Sequence, residues 1–253
     1  MSQIICITNL KGGSGKTTIS INLSASLAIA EKRTLLIDCD PKGNATIGSG
    51  VPLNSSKSLY QAMINKEITE DQIVDTELDY LKIIPSCFEL YKFEQYVSGQ
   101  QGFENTLSVS IDKIKDSFDY LIIDTPPSLN MLTINSLVAA NGCIIPMTSD
   151  FFALNTLKTI LHSIQFIKNK YNPNLELYGI LLTMISRSFE NDNLIKTEMN
   201  RIFKNSMFES IIPLDMTIKD STLYGTPIAL RDIHASGSVH FLRLAEELLS
   251  KYY

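Results

Sequence analysis

No stretch of this 253-residue chain approaches the roughly 18 uninterrupted apolar residues that a membrane-spanning helix needs. A signal-peptide pattern is also missing, because the N-terminus leads directly into the apolar run Gln3-Ile4-Ile5-Cys6-Ile7-Thr8. Both absences predict a cytoplasmic protein with no stable membrane association. Cysteine is scarce: Cys6, Cys39, Cys87 and Cys143 stand far apart with no CxxC pair. That spacing argues against a disulfide framework or a thiolate metal centre and predicts buried, reduced thiols. Arginine does not occur in residues 54–119, which hold six Lys against twelve Asp and Glu. The segment therefore carries a charge of −6, whereas the rest of the chain is near neutral with 16 basic and 15 acidic residues. The net charge of −5 thus leaves nucleic acid open as a partner. Internal repeats and low-complexity tracts are absent as well.

What is present is enough apolar material, 44% of residues, for one large core. Residues 3–8 read as a strand buried on both faces, and so do Thr34–Asp38, Leu81–Pro85, Tyr120–Asp124, Cys143–Met147, Leu177–Thr183 and Glu209–Pro213. Helical periodicity separates them. The first helix is expected to bury a stripe of Ile19, Leu23, Ser26, Leu27 and Ala30. Residues 153–171 present Leu154, Leu157, Ile160, Leu161, Ile164 and Ile167, and the last helix, about 239–251, presents Phe241, Leu242, Ala245, Leu248 and Leu249. Strands alternating with helices predict an α/β fold, a mostly parallel twisted sheet covered on both faces, in a single domain spanning residues 1–253. The acidic part, about 48–117, is expected to be its most irregular portion.

Lys11-Gly12-Gly13-Ser14-Gly15-Lys16-Thr17-Thr18 lies between the first strand and the first helix. It fits the second half of the GxxxxGK[ST] phosphate loop, with Leu10 at the first Gly position. Glycines let backbone N–H groups turn inward around phosphates, and a helix N-terminus adds positive potential. Lys16 then neutralises the β and γ oxygens, while Thr17 offers a hydroxyl to Mg²⁺. Ile37-Asp38-Cys39-Asp40-Pro41 ends the second strand with two carboxylates, at the sheet edge where ligands of open α/β folds collect. Leu121-Ile122-Ile123-Asp124 is an apolar strand ending in an acid, the form in which a Walker B carboxylate reaches Mg²⁺ or its water shell. Thr17, Asp38 and Asp124 are therefore the candidate metal-side residues, Lys16 is a candidate for catalysis, and Asp40 is expected to face the phosphates beside Asp38.

Lys11 is not needed to cradle a nucleotide within one subunit. Together with Gly12-Gly13-x-Gly15-Lys16-Thr17 it resembles the deviant Walker A motif of the ParA/MinD family of P-loop ATPases. Asp40-Pro41-Lys42-Gly43-Asn44-Ala45-Thr46 resembles that family's DPQGNAT segment, and Asp124-Thr125-Pro126-Pro127-Ser128 its DxPPS turn. Nearly the whole chain, from Ile4 to about Leu249, is similar to small Soj-like ParA proteins. The resemblance implies a P-loop NTPase that binds ATP or ADP with Mg²⁺ and hydrolyses ATP to ADP and phosphate. Lys11 would reach the nucleotide of a partner subunit in an ATP-dependent homodimer, and Asp40 would orient the attacking water. Adenine would lie near Pro213 and Asp215, the latter in place of the more usual Asn. The family also implies non-specific DNA as a partner, nucleoid association, and a ParB-like or other cargo adaptor that stimulates hydrolysis.

Candidates for phosphate contacts with DNA are Arg187, Lys196, Arg201, Lys204, Lys219, Arg231 and Arg243. Two departures weaken that surface: Thr217 stands where an Arg is common, and His234-Ala235-Ser236-Gly237 replaces an RSRG-like pattern. A ParA-like protein with little DNA binding is thus an alternative. A MinD-like membrane-cycling ATPase calls for a basic amphipathic C-terminal helix, which Ser250-Lys251-Tyr252-Tyr253 does not supply. An electron-transfer relative of nitrogenase iron protein would need cluster-holding cysteines, and Cys39 and Cys143 are not so arranged. Lys11 and DPKGNAT argue against a plain metabolic P-loop enzyme. Since Met1 leads straight into the first strand, no N-terminal helix-turn-helix is expected, and hence no operator-specific repression.

Overall fold

Apolar runs of this kind have no solvated face to offer, so they pair side by side and are covered from above and below. Gln3–Ile7 (β1), Thr34–Asp38 (β2), Val74–Asp75 (β3), Leu81–Ile84 (β4), Tyr120–Asp124 (β5), Gly142–Thr148 (β6), Glu176–Ile185 (β7) and Met207–Pro213 (β8) form one sheet. Its order is β3-β4-β2-β5-β1-β6-β7-β8. Every pair is parallel except the short antiparallel β3–β4 edge. The computed structural model describes residues 2–98, 101–148, 153–186, 203 and 206–252.

The helices are Lys16–Ile29 (α1), Asn44–Gly48 (α2), Leu59–Asn65 (α3), Phe93–Val97 (α4), Thr106–Ile111 (α5), Met131–Ala139 (α6), Ala153–Lys170 (α7), Met216–Leu223 (α8), Ile228–Arg231 (α9) and Ser236–Tyr252 (α10). They divide the core into two layers. Residues of α3 to α7 pack with Ile4, Cys6, Leu35, Ile37, Leu121 and Ile123 on one face of the sheet. Those of α1, α2, α8, α9 and α10 pack with Ile5, Ile7, Leu36, Tyr120 and Ile122 on the other. The strict alternation matters for function. Leu36 and Ile122 face α1, so by the two-residue period of a strand Asp38 and Asp124 turn to the α1 side as well.

Several details depart from the sequence reading. Helix α1 buries every residue from Ile19 to Ala28 rather than one stripe, and Ala30 is exposed. The physical cause is its position between the sheet and α10; a helix covered all round carries no charged face, and none occurs from Thr17 to Ala30. On α10 the buried set is Phe241, Leu244, Ala245 and Leu248, with Leu242 and Leu249 only partly buried, so the stripe is rotated onto Leu244. On α7, Leu157, Ile160, Ile164 and Ile167 are buried, Leu161 is partly buried, and the Leu154 side chain lies outside the described residues. The acidic segment is built of short pieces, none longer than the seven residues of α3, and includes the unexpected two-residue β3. All four cysteines are buried and free, Cys6 and Cys143 being neighbours across β1 and β6. Among the described residues no helix is long and apolar enough to cross a membrane.

Candidate functional site

Beside β1 the chain reverses its direction across the sheet: β1 leads through α1 to β2 on one side, and β5 leads through α6 to β6 on the other. Such a point opens a crevice at the carboxyl ends of the strands. The loop that fills it turns on Gly13 and Gly15, with φ of +74° and +87°, a backbone that side chains with a Cβ rarely adopt. Gly15 is the N-cap of α1, no side chain caps that end, and no acidic residue occupies its first turn. The first N–H groups of α1 thus keep their capacity for an anion.

Lys16 is only 6% exposed, and its Nζ donates to the carbonyl of Lys11 at 3.2 Å. Burial pulls its ammonium below the usual lysine range, while the charges of Asp124 and Asp40 oppose that shift. Thr17 Oγ1 donates to Asp124 Oδ2 and Ser20 Oγ to Asp124 Oδ1, both at 2.9 Å. Hydroxyl and carboxylate oxygens so placed are the hard donors that suit Mg²⁺. Within one chain Lys11 Nζ lies 3.3 Å from Thr148 Oγ1, and its backbone N–H donates to Asn9 Oδ1.

Asp38 and Asp124 are register partners in β2 and β5, and both are fully buried. Desolvation drives both carboxyl groups well above the ordinary acid range; the neighbouring negative charge adds to the rise at Asp38, and the Thr17 and Ser20 hydrogen bonds restrain it at Asp124. Of the three candidate metal-side residues, Thr17 and Asp124 are in contact, whereas both oxygens of Asp38 are engaged by the following loop. Its Oδ1 accepts from Asp40 N at 3.1 Å, and its Oδ2 accepts from Thr46 N and Oγ1 at 2.8 and 2.7 Å. Asp40 is 6% exposed and its Oδ1 accepts from Lys42 N at 3.0 Å. Ser86, just beyond β4, closes this network by donating its N–H to Thr46 Oγ1 and its hydroxyl to the Asp40 carbonyl.

A cavity of about 390 Å³ opens beside the loop, lined by Gly15, Thr18, Met184, Pro213, Asp215 and Leu223 among others. Pro213 and Asp215 therefore do share a recess with the phosphate loop. Asp215 caps α8, its Oδ1 accepting from Thr217 N and Oγ1 at 2.8 and 2.7 Å. The basic candidates are not gathered in the same way. Lys219 is exposed and lines the cavity, the Arg231 guanidinium stacks 4.2 Å above the Tyr224 ring, and Arg243 shares a recess with Glu209, Glu246 and Glu247. Arg187, Lys196, Arg201 and Lys204 lie outside the described residues. Ser20, Thr46, Ser86, Thr183 and Met184 carried no assigned role in the sequence. Only Thr46 stood inside a quoted motif, and the partners of the others lie far away along the chain.

The family described as "AAA domain" matches residues 2–177. The chain is 39% identical to the chromosome partitioning protein ParA of Myxococcus xanthus, covering 99% of this chain and 89% of that one. It is 34% identical to the sporulation initiation inhibitor protein Soj of Bacillus subtilis, covering 98% of each. Among solved structures, cobyrinic acid a,c-diamide synthase from Mycobacterium smegmatis with bound ADP and magnesium superposes with a TM-score of 0.84 at 25% identity, covering 98% of this chain and 94% of that one.

Proposed function

The chain belongs to the ParA/Soj family of P-loop ATPases, and from that premise we propose that it is an ATP-hydrolysing dimerisation switch that positions a chromosome, plasmid or other large cargo. The observation that carries this reading is the meeting of Lys16, Thr17 and Asp124 at the end of β5 with a second acidic loop, Asp38 to Thr46, tied to the same strand ends. Lys16 and the α1 N-terminus are suited to the charge of the β and γ phosphates. Mg²⁺ held by Thr17 and Asp124 would supply further charge neutralisation, and the Mycobacterium smegmatis structure has ADP and magnesium bound. Asp40 stands in that second loop, near enough for its charge to act on Lys16, and is the residue we assign to orienting water. Asp38 serves that loop as its anchor.

In this proposal ATP favours the dimer, Lys11 leaves Thr148 for the partner's nucleotide, and hydrolysis dismantles the pair. Non-specific DNA is the proposed surface on which the dimer acts, with an adaptor protein of ParB type stimulating release. The Asp40→Ala variant should trap the ATP-bound dimer. Sedimentation of wild type and Asp40→Ala with ATP and Mg²⁺, with and without DNA at two salt concentrations, tests both halves. An Asp40→Ala protein that stays monomeric with ATP refutes the dimer switch; a dimer indifferent to DNA at low salt refutes the DNA carrier alone.

A further inference from the structure

β7 is extended except at Met184, where φ is +55° in a residue that is not glycine. Thr183 faces Ile212 and Ile185 faces Pro213, so two positions of β7, Met184 and Ile185, answer to one step of β8. This is a bulge, and a bulge breaks the pleat and re-aims a side chain. Thr183 and Ile185 stay buried at 1% and 2% exposure, whereas Met184 is 39% exposed. A left-handed backbone on such a residue persists only where its surroundings hold it, and such positions gather at ligand sites.

The surroundings are the phosphate loop and the neighbouring cavity. Thr183 Oγ1 donates to the Ser14 carbonyl at 3.0 Å, which ties the end of β7 to the loop just before Gly15 and Lys16. A methyl group placed on Gly15 would meet Met184 Cε at 3.7 Å, so the thioether lies directly against the N-terminus of α1. From there Met184 forms one wall of the cavity of about 390 Å³ that it shares with Thr18, Pro213 and Asp215. Thioethers are polarisable and pack well on aromatic rings.

We infer that Met184 is a specificity-determining residue for the base of the nucleotide, held in place by its strained bulge, while its neighbour Thr183 positions the phosphate loop. The inference rests on the nucleotide reading above. It divides labour between adjacent residues: Met184 meets the planar ring of a purine, and Thr183 acts through the Ser14 peptide on the phosphates.

The test compares Mg-ADP and inorganic tripolyphosphate as competitors of a fluorescent ADP on wild type, Met184→Ala, Met184→Leu and Thr183→Val. Met184→Ala should weaken ADP about tenfold and change tripolyphosphate less than about twofold, and Met184→Leu, which keeps an apolar wall, should retain most of the ADP affinity. Thr183→Val should weaken both ligands in parallel. Met184→Gly, which adopts a left-handed backbone without strain, should melt above Met184→Ala yet bind ADP equally weakly. Unchanged ADP affinity in Met184→Ala, or an equal loss of ADP and tripolyphosphate there, overturns the assignment to the base. A wild-type protein that binds neither ligand overturns the nucleotide site itself, and is thereby told apart from a failure at Met184.

Discussion

Asp38 and Asp124 end neighbouring parallel strands at the same level, and both are fully buried on the α1 side. Burial takes both carboxyl groups out of water, and the charge of Asp124 adds to the effect at Asp38, so both hold protons more tightly than in the unfolded chain. A raised folded-state pKa gives stability that is complete below the unfolded pKa and is lost as pH rises through the folded one. Metal- and nucleotide-free protein should therefore melt lower at about pH 8.5 than at about pH 6. Asp124→Asn removes one charge and leaves an amide that the Thr17 and Ser20 hydroxyls can still meet, so its melting temperature should depend less on pH across that window. Thermal denaturation in the presence of a chelator gives the two slopes, and equal slopes in wild type and variant would refute the account of Asp124 as a buried group that holds its proton. A divalent cation placed beside Asp124, as proposed, would favour the ionised form that burial opposes.

Helix α2 spans only five residues, too short to stand by its own hydrogen bonds, and is fastened at its core by Thr46. The Thr46 hydroxyl donates to Asp38 and accepts from Ser86 N, so it joins β2, the acidic loop and the end of β4 in one contact. Thr46→Val keeps the shape and leaves the Ser86 N–H buried without that acceptor, which should cost about 1–3 kcal/mol. For a chain of this size that lowers the melting temperature by about 2–4 °C per kcal/mol, and Thr46→Ser should recover most of the loss. Calorimetry decides; a Thr46→Val protein as stable as wild type would leave the loop without the fastening described. The strands around this loop were legible to within a residue or two because a strand buried on both faces is a continuous apolar run closed by a turn. β3 was not, since two residues carry no period; for α1 the lack of any charge from Thr17 to Ala30 was a local sign of full coverage, but its small polar residues Ser20, Ser24 and Ser26 made it read as one stripe. At the site, Lys16, Thr17, Asp40 and Asp124 stand in motifs whose chemistry is written locally. Ser20, Ser86 and Thr183 were invisible because their partners are 104, 40 and 169 residues away.

At the scale of the whole molecule, the role proposed for Lys11 would leave the site incomplete in one chain. Its ammonium meets Thr148 Oγ1 at 3.3 Å within one chain, and a phosphate of a partner's nucleotide would offer it a charge-assisted bond. In the proposed two-fold dimer the exchange would be reciprocal, each Lys11 entering the other subunit's site. Lys11→Ala and Asp40→Ala should each abolish hydrolysis as a homodimer, for opposite reasons: one lacks the incoming lysine, the other the residue assigned to water. Mixed in equal amounts, half of the dimers contain one of each subunit. In such a dimer the Lys11→Ala subunit keeps its own Asp40 and receives a native Lys11 from its partner, so one of the two sites is whole. The mixture should then recover about a quarter of wild-type ATPase activity from two inactive proteins, once subunits have been exchanged before ATP is added. If Lys11 instead served its own nucleotide, every site in the mixture would lack either Lys11 or Asp40, and no activity would return. Phosphate release from the mixture therefore separates action in trans from action in cis.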